Sequence, residues 1–542
     1  MSDWQAQVLG DVLARNALNF AGQEALVISG QRLTYLELHE KAVRMADGLR
    51  AVGVGHGDHV AICMGNSLDW VICFYAAAMI GAVTVPINTR FKADEMQYCL
   101  KQADVKALLL ADKFLKIDYV DMLRSICPAL DRQLPDPGLP MLAKVVVFGT
   151  DVPAGAMSSS QLLEMAAAYS DASSRPVVPD DVLLMQFTSG TTSYPKGVML
   201  THDNMLRNAA YVAERFDLRT GDRYYSARPF FHVAGTTLSL LAALTSGACL
   251  FSSPHFDPDD GLRVMSGEQC THTSGNDTMF LMLLNHPDFA KYPMCLRGGW
   301  ASANPEVSRQ VVERMGMRNI CQAYGLSEAS PNVAMSRHDD DLEKRINGWA
   351  HVLKGVEVRI VDPETRRDQP PGASGEILVR GASVMKGYYK MPEQTAQAMD
   401  SDGWLHTGDV GVMDGDGRMR FISRIKDVFR VGGENVAPGE VEDVLLKHPA
   451  ISQAQVVGVP DARLIEVPAA YVILKDGESV APADIMAWSK ERMAGFRVPR
   501  YVRIVDTFEQ IGMTGSVKVQ KNKLRAQAII DFKLQETAAK SG

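Results

Sequence analysis

Short runs of branched apolar residues alternate with segments of helical spacing along the first part of the chain. The stretches DHVAICMGN, VKALLLAD and AKVVVFGT each have the length and composition of a buried strand. Strands that are apolar on both faces and separated by helices are typical of a parallel sheet covered by helices on each side. The sequence therefore predicts an α/β fold with αβα layers.

The length and composition of the chain limit what surrounds this core. With 542 residues the chain is too long for one hydrophobic core, and its 46% hydrophobic and 22% charged residues are typical of folded domains. The net charge of −8 provides no large basic surface. We therefore expect neither nucleic acid nor an anionic membrane as a partner.

Three further features predict a cytoplasmic protein without a transmembrane segment. The eight cysteines are scattered and contain no C-x-x-C pair, which fits neither a disulfide framework nor a zinc site. The N-terminus, MSDWQAQVLG, has no basic segment leading into an apolar run, as a secretory signal would. The uncharged segment 70–86 is barely long enough to span a bilayer, and we interpret it as a buried helix leading into a buried strand.

The character of the sequence changes near residue 410. The stretch 403–442 is dense in glycine, aspartate and charge, and DGDG (414–417) predicts a hairpin turn. The segments VEDVLLKHP, QAQVVGVPD and PAAYVILKDG that follow indicate a small α+β unit. We therefore expect a large N-terminal domain of several subdomains over residues 1–424 and a small C-terminal domain over residues 425–542.

The loop TSGTTSYPKG (188–197) follows VLLMQF, a predicted buried strand. A loop of Gly, Ser and Thr after a strand exposes backbone N–H groups that favour an anion, and a lysine adds positive charge. Pro195 and Gly197 stand where a Walker A motif needs a glycine and a hydroxyl, which disfavours a P-loop NTPase. Taken alone, the segment fits an exposed turn equally well.

Five more motifs follow this loop in order. They are YGLSE (324–328), GWLHTGD (403–409), SRIKD (423–427), GGENVAPGEVE (432–442) and GSVKVQKNKLR (515–525). With the loop they resemble the signature set of the adenylate-forming enzymes, the superfamily of acyl-CoA synthetases, luciferases and peptide-synthetase adenylation domains. The resemblance implies an active site between a large N-terminal domain and a small mobile one, where a carboxylate attacks the α-phosphate of ATP and a nucleophile then captures the acyl-adenylate.

The resemblance implies a complete nucleotide site. The phosphate loop would consist of Thr188, Ser189, Gly190, Thr191, Thr192 and Lys196, although Ser193 replaces a usual glycine. Glu328, a hard oxygen ligand, would bind Mg²⁺ together with Thr191. Ser327 would donate to the α-phosphate and Tyr324 would offer its face to adenine, whereas the motif alone fits a helix start capped by Ser327. Asp409 and Arg424 would hold the ribose.

The acid site is implied by three other segments. His232 in RPFFHVAG resembles a residue beside the substrate carboxylate, although a histidine among aromatic residues is often a core residue. Gly298 and Gly299 would form the glycine-rich wall, and Gly325 would line the pocket. Trp300 either shortens that pocket or packs outward, and Asn276 with Asp277 makes its wall more polar than usual. We expect a medium-sized carboxylic acid, either aryl, cyclic or short-branched.

The C-terminal segments imply the second half of the reaction. Gly432, Gly433 and Glu434 resemble the loop that acyl-CoA synthetases bring to the coenzyme A tunnel, and Lys426 matches their hinge. Lys518 resembles the catalytic lysine that bridges the attacking carboxylate and the α-phosphate, with Lys521 and Lys523 as alternatives because Val517 replaces the usual glycine. No carrier-protein domain follows Lys518, which favours a free thiol.

The leading hypothesis is therefore an ATP-dependent, Mg²⁺-requiring ligase that joins a small-molecule carboxylic acid to coenzyme A. One alternative is an adenylating enzyme that delivers its acyl group to a carrier protein or another nucleophile. A second is a nucleotide-binding homologue without turnover. The sequence leaves a homodimer open.

We predict that Lys518→Ala lowers the rate of adenylate formation by orders of magnitude, because a positioned ammonium offsets the charge of two reacting anions. Acid-dependent release of pyrophosphate measures this rate, and circular dichroism checks that the variant is folded. Near-normal pyrophosphate release would refute the assignment of Lys518.

Overall fold

The computed structural model describes residues 4–169, 175–188, 195–475, 477–508, 510–512 and 519–535. Within these ranges the chain forms two large sheets, one small sheet and a two-stranded ribbon, with helices between the strands. The α/β fold predicted from the sequence is confirmed.

The described helices are numbered in chain order. They are α1 (Leu9–Asn19), α2 (Tyr35–Ala51), α3 (Leu68–Met79), α4 (Ala93–Gln102), α5 (Tyr119–Ile126), α6 (Ser159–Ala168), α7 (His202–Arg215), α8 (Val233–Gly235), α9 (Ala242–Ser246), α10 (Pro258–Gly267), α11 (Asp277–Leu284), α12 (Pro305–Met315), α13 (Leu342–Ile346), α14 (Pro392–Ala398), α15 (Pro438–Leu445), α16 (Pro482–Lys490) and α17 (Lys521–Asp531). A π-helical segment (Thr236–Leu241) joins α8 to α9, and short 3₁₀ turns include Ser327–Ala329 and Ile425–Asp427.

The described strands are numbered in the same way. They are β1 (Glu24–Ile28), β2 (Gln31–Thr34), β3 (His59–Cys63), β4 (Val83–Pro86), β5 (Ala107–Ala111), β6 (Lys113–Phe114), β7 (Ile117–Asp118), β8 (Lys144–Phe148), β9 (Met157–Ser158), β10 (Val182–Phe187), β11 (Gly197–Thr201), β12 (Arg223–Tyr225), β13 (Cys249–Ser252), β14 (His272–Asn276), β15 (Gly298–Ser302), β16 (Asn319–Gly325), β17 (Asn332–Met335), β18 (Ala350–Val352), β19 (Val356–Val361), β20 (Ser374–Gly381), β21 (Gly387–Tyr388), β22 (Leu405–Met413), β23 (Arg418–Arg424), β24 (Phe429–Val431), β25 (Glu434–Val436), β26 (Ile451–Asp461), β27 (Ile465–Leu474) and β28 (Tyr501–Ile504).

The first large sheet has the strand order β21-β11-β10-β4-β3-β5-β8-β9. Its central strands β10, β4, β3, β5 and β8 run parallel, as the alternating apolar runs predict. The segment 70–86 forms most of α3 followed by β4, and residues of both elements are buried. The predicted buried helix and strand are thus confirmed.

The second large sheet has the order β19-β20-β22-β23-β18-β17-β16-β15-β14-β12-β13-β1-β2. Strands β1, β13, β12, β14, β15 and β16 pair in parallel, and the remaining pairs are antiparallel. The predicted DGDG turn connects β22 to β23, whose register pairs Asp409 with Arg424. This pairing brings two of the predicted nucleotide residues to neighbouring strands.

The third sheet, with the order β25-β24-β27-β26 and β28 beside β27, packs against α15, α16 and α17. Its buried residues form a hydrophobic cluster that extends from Phe429 to Ala528. The α+β character expected of the C-terminal part is present here, and the boundary between residues 424 and 425 stays a prediction. Among the described residues, none of the helices has the length and apolarity needed to span a membrane.

Helix α7 begins directly after β11. Thr201 accepts a hydrogen bond from the Asn204 backbone N–H at 3.1 Å, and the Asn204 amide oxygen accepts from the Thr201 N–H at 3.0 Å, which makes a capping box. His202, in the first turn, is fully buried, and its Nδ1 accepts from the Leu9 N–H at 3.1 Å. The cap and this bond connect α1, α7 and the strand that leaves the phosphate loop.

Burial lowers the pKa of His202 to about 4, below its ordinary value of 6.5. The unfolded chain therefore takes up this proton first, so the stabilising effect is complete above pH 6.5 and is lost as the pH falls towards 4. We expect the free energy of unfolding to fall by about 2–3 kcal/mol between pH 7 and pH 4.5 through this group. Urea unfolding at the two pH values measures the loss.

His202→Asn is the matched control, because its amide oxygen can accept the Leu9 N–H and does not titrate. The loss between the two pH values should be smaller in this variant by that amount. An equal loss in both proteins would contradict the role of His202.

Candidate active site

The two ends of the phosphate loop are joined by a backbone hydrogen bond. The Thr188 N–H donates to the Lys196 carbonyl at 3.0 Å, next to the cross-strand pair Phe187 and Gly197 of β10 and β11. The loop is therefore anchored where two buried strands meet. The predicted loop residues Ser189, Gly190, Thr191 and Thr192, together with Ser193, lie outside the described residues.

A tyrosine that the sequence analysis missed lies between two predicted site residues. The Lys196 ammonium is 4.1 Å from the centroid of the Tyr388 ring, and the Tyr388 hydroxyl donates to Glu328 Oε1 at 2.9 Å. Burial and the nearby Glu328 carboxylate raise the pKa of Tyr388, so the hydroxyl stays a neutral donor. The structure thus brings Lys196 and Glu328 to opposite parts of one aromatic side chain.

The local sequence contains little that could have identified Tyr388. It lies on β21, a two-residue edge strand that pairs with β11 directly after the phosphate loop. The signal present is the aromatic pair in KGYYK, which is equally typical of a surface strand. Its partner strand and its contact with Glu328 are set by long-range pairing.

The YGLSE motif makes a tight turn at the end of β16. An added Cβ on Gly325 would lie 2.1 Å from the Pro331 carbonyl oxygen, so glycine is required by close backbone approach. Ser327–Ala329 form one 3₁₀ turn, and the residue at its N-cap position is Leu326. The alternative in which Ser327 caps a helix is therefore wrong, because Ser327 is the first residue inside the turn.

Tyr324, Asp409 and Arg424 lie together at the neighbouring strand ends. The Tyr324 hydroxyl donates to Asp409 Oδ2 at 2.9 Å, and Arg424 Nε is 3.5 Å from Asp409 Oδ1. Phe421 stacks on the Tyr324 ring at a centroid distance of 5.5 Å and an angle of 14°. Burial and the Asp409 carboxylate raise the pKa of Tyr324, which keeps its hydroxyl a donor. This group has the acceptors and donors that a ribose needs.

The glycine-rich wall is β15, which lies between β14 and β16. Gly299 has φ +141°, and an added Cβ there would lie 1.8 Å from the Thr273 carbonyl oxygen. At Gly298 an added Cβ would approach His272 Nε2 to 3.0 Å. Gly299 therefore needs glycine both for close backbone approach and for its backbone angle, and at Gly298 a larger residue would be crowded against His272.

Asn276 and Asp277 have structural partners. The Asn276 side chain accepts from the Met279 N–H at 2.9 Å and caps α11. Asp277 accepts from the backbone and side-chain N–H groups of Asn304, at 2.8 and 2.7 Å. These bonds account for the polarity of the segment, and a role for either residue in the acid pocket stays a prediction.

Trp300 packs inward. It is 3% exposed, its Nε1 donates to the Tyr224 hydroxyl at 3.0 Å, and the Arg228 guanidinium lies 4.1 Å from the indole ring. The alternative in which Trp300 packs outward is therefore wrong, because its indole N–H finds a buried acceptor. His232 is half-buried at the start of α8, where its Nδ1 accepts from the Ala234 N–H at 3.1 Å.

The C-terminal residues lie on two turns and one helix. Gly432 (φ +58°) and Gly433 (φ +98°) form the two-residue turn between β24 and β25, immediately before Glu434, and φ angles of this sign favour glycine. Lys426 lies in the 3₁₀ turn after β23, and burial and Arg424 lower its pKa.

The three tail lysines have different surroundings. Lys521 forms a salt bridge with Glu442 and donates to the Val456 carbonyl at 2.9 Å, and Lys523 is exposed on α17. Lys518 and Val517 lie outside the described residues.

Comparison with known proteins identifies both parts of the chain. The sequence pattern that describes the AMP-binding enzyme matches residues 13–389, and that of the AMP-binding enzyme C-terminal domain matches residues 440–518. The putative acyl-CoA synthetase YngI of Bacillus subtilis is 39% identical, over 99% of this chain and 100% of its own length. The similarity to this protein therefore covers nearly the full length of both chains.

Two other similar proteins have names that specify ring-containing acids. The 3-[(3aS,4S,7aS)-7a-methyl-1,5-dioxo-octahydro-1H-inden-4-yl]propanoyl:CoA ligase of Rhodococcus jostii is 37% identical over 95% of this chain and 98% of its own. The crystal structure of the anthranilate CoA ligase AuaEII, in complex with anthranoyl-AMP, superposes with a TM-score of 0.86 at 25% identity, covering 98% of this chain and 99% of that one.

Tyr388→Phe should raise the KM for ATP about five-fold, because it removes one hydrogen bond to Glu328 and leaves the ring beneath Lys196. Tyr389→Phe is the matched control, since the Tyr389 hydroxyl donates to Asp104 at 2.9 Å instead. ATP titrations of both variants measure the effect. An unchanged KM in Tyr388→Phe, or an equal rise in Tyr389→Phe, would contradict the role of the Tyr388 hydroxyl.

Proposed function

We propose that the acid substrate of this chain is medium-sized, either aryl, cyclic or short-branched. The chain belongs to the AMP-binding enzyme family and is an AMP-forming acid:CoA ligase of its acyl-CoA synthetase branch. Support for this size comes from the inward packing of Trp300, which places an indole in the glycine-rich wall. The ring-containing acids named for two similar proteins also agree with it.

The observation that carries the proposed chemistry is the arrangement of charge along the nucleotide site. Lys196 lies at the end of the phosphate loop, and Glu328 is connected to it through Tyr388. Asp409 and Arg424 form a neighbouring ion pair, and in this proposal both bind ribose hydroxyls. In this proposal Lys196 donates to the β- and γ-phosphates, and Ser327 donates to the α-phosphate.

Mg²⁺ fits the donor set of this site. Glu328 offers a half-buried carboxylate, a hard oxygen ligand, and Tyr388 holds only its Oε1 among the described contacts. We propose that Glu328 binds the ion, with Thr191 as a second ligand. The bound ion would supply positive charge to the phosphates.

The acid and coenzyme A would be handled by the remaining segments. We propose that His232 lies beside the substrate carboxylate and that Lys518 bridges this carboxylate and the α-phosphate, where one anion attacks another. A rotation of residues 425–542 about Lys426, relative to residues 1–424, would then bring the Gly432–Gly433 turn and Glu434 to the coenzyme A channel. The eight free thiols, seven of them buried, support a reducing compartment such as the cytoplasm.

The purified protein with ATP, Mg²⁺ and a panel of aromatic, cyclic, branched and straight-chain acids tests this proposal. We expect acid-dependent pyrophosphate release, faster AMP release when coenzyme A is added, and the highest kcat/KM on ring-containing or branched acids. Mass spectrometry of the thioester identifies the product.

Other outcomes separate the alternatives. Adenylate formation that coenzyme A does not accelerate would favour delivery to a carrier protein or another nucleophile. No adenylate from any acid would favour a nucleotide-binding homologue without turnover. A clear preference for long straight chains would overturn the proposed acid class alone.

A further inference from the structure

Six polar or amphipathic side chains meet beside β12, β14 and β15 inside an otherwise apolar core. We call them the polar cluster: Tyr224, Ser226, Arg228, Ser239, Ser274 and Trp300, all buried. The Ser226 hydroxyl lies 2.8 Å from that of Ser239 and 3.3 Å from that of Ser274. The Trp300 indole donates to Tyr224, whose hydroxyl donates to the Leu238 carbonyl at 3.1 Å.

Arg228 is the charged member of the polar cluster, and two of its donor nitrogens have no hydrogen-bond partner among the described residues. It is 8% exposed, and its Nε and Nη2 are enclosed without a hydrogen-bond partner among the described residues. Its guanidinium instead covers the Trp300 ring at 4.1 Å. Burial lowers the pKa of Arg228 to about 10, so the side chain is still a cation at neutral pH. A buried cation with unused donors is costly unless something else pairs with it.

A second buried arginine shows how this fold pairs such a group. Arg345 is 6% exposed, close to Arg228 in burial. It donates to the carbonyl oxygens of Asp340, Arg318 and Ile320 at 2.9, 3.0 and 2.8 Å. Arg345 therefore has the backbone acceptors of a structural arginine, and Arg228 lacks equivalents in the described structure.

The place of Arg228 indicates what its partner is. It precedes His232 by four positions in RPFFHVAG, and the ring that it covers follows Gly298 and Gly299 directly in the chain. Both segments belong to the proposed acid site. The polar cluster is thus connected to both of these segments, through the chain at Arg228 and through its contact with Trp300.

We propose that Arg228 determines specificity by donating to a second oxygen atom on the acid substrate, remote from the carboxylate that is activated. This inference rests on the proposed acid:CoA ligase function and adds the chemical class of the acid. The required group is an acceptor oxygen, as in a ketone or a second carboxylate, because the guanidinium has donors only. A hydrocarbon tail would leave the cation unpaired, and a site built to hydrogen-bond rejects such an analogue.

Matched acids test the proposal. Each set contains a hydrocarbon acid, its keto derivative and the corresponding dicarboxylic acid, as straight chains of five to eight carbons and as cyclohexanecarboxylates substituted at position 4. For the wild-type enzyme we expect kcat/KM to be roughly 10- to 100-fold higher on at least one oxygen-bearing member than on its hydrocarbon partner. The keto and dicarboxylic arms show whether the oxygen is neutral or charged.

Arg228→Met should abolish this preference, because it keeps the length of the side chain and removes its donors. Arg228→Lys should retain part of the preference for the dicarboxylic acids and less of that for the ketones, since an ammonium is a point charge. A preference that is the same in wild type and Arg228→Met would overturn the assignment of Arg228.

Arg345→Met is the matched control for burial. It should lower the thermal unfolding temperature, because it removes three satisfied bonds, and leave the ratio between matched acids unchanged. Arg228→Met should unfold at or above the wild-type temperature without substrate, because it removes an unpaired buried charge. A strong loss of stability in Arg228→Met would indicate a structural arginine and overturn the proposal.

The same measurements distinguish a failure of this inference from a failure of the proposed acid:CoA ligase function. If the wild-type enzyme has the same kcat/KM on hydrocarbon acids and on their oxygen-bearing partners, the role of Arg228 is overturned and the ligase function is supported. A wild-type enzyme that activates no acid in any set overturns both.

Discussion

The hydrogen bond from Tyr388 to Glu328 joins the two large sheets at the proposed nucleotide site. Tyr388 lies on the edge strand of the first sheet, and Glu328 follows a strand of the second. The Met385 N–H also donates to the Glu328 carbonyl at 2.9 Å, so the backbone is held at the same place. Because Lys196 rests on the face of the same ring, one side chain sets the positions of an anion and a cation. The two hydrogen bonds therefore fix Glu328 relative to the edge of the first sheet.

A tyrosine suits that place for a physical reason. A cationic residue would pair with Glu328 and offset its charge, whereas a neutral hydroxyl donates and leaves that charge for the proposed metal ion. The second carboxylate of the site follows the same rule, since Asp409 accepts from the Tyr324 hydroxyl at 2.9 Å and Arg424 stays at 3.5 Å. Raised pKa values keep both tyrosines as donors. Each of these two carboxylates therefore accepts a hydrogen bond from a neutral tyrosine hydroxyl, and Asp409 also pairs with Arg424.

Features that depend on neighbouring residues were predictable from the sequence. The parallel strands, the buried segment 70–86 and the DGDG turn follow from the order of apolar runs and turn residues along the chain. The motif order also predicted Lys196, Glu328, Asp409 and Arg424 as site residues. In the structure Tyr388 contacts the first two, and Asp409 contacts Tyr324 and Arg424, whereas their roles stay predictions. Tyr388 was missed because Glu328 is 60 positions away in the chain, in the turn that follows a strand of the other sheet. The sequence likewise left open whether Trp300 faces inward, since that depends on Tyr224.

The lysines of the C-terminal segment can be separated by what each already does. A lysine that reaches the nucleotide in another domain cannot also be bound within its own. Lys521 is bound in this way, because it pairs with Glu442 of α15 and with the Val456 carbonyl of β26 and so fixes the start of α17. Val519, two positions before Lys521, packs against the hydrophobic cluster of the third sheet. These contacts hold the chain from Val519 into α17, so Lys521 is disfavoured as the catalytic lysine, whereas the roles of Lys518 and Lys523 stay predictions.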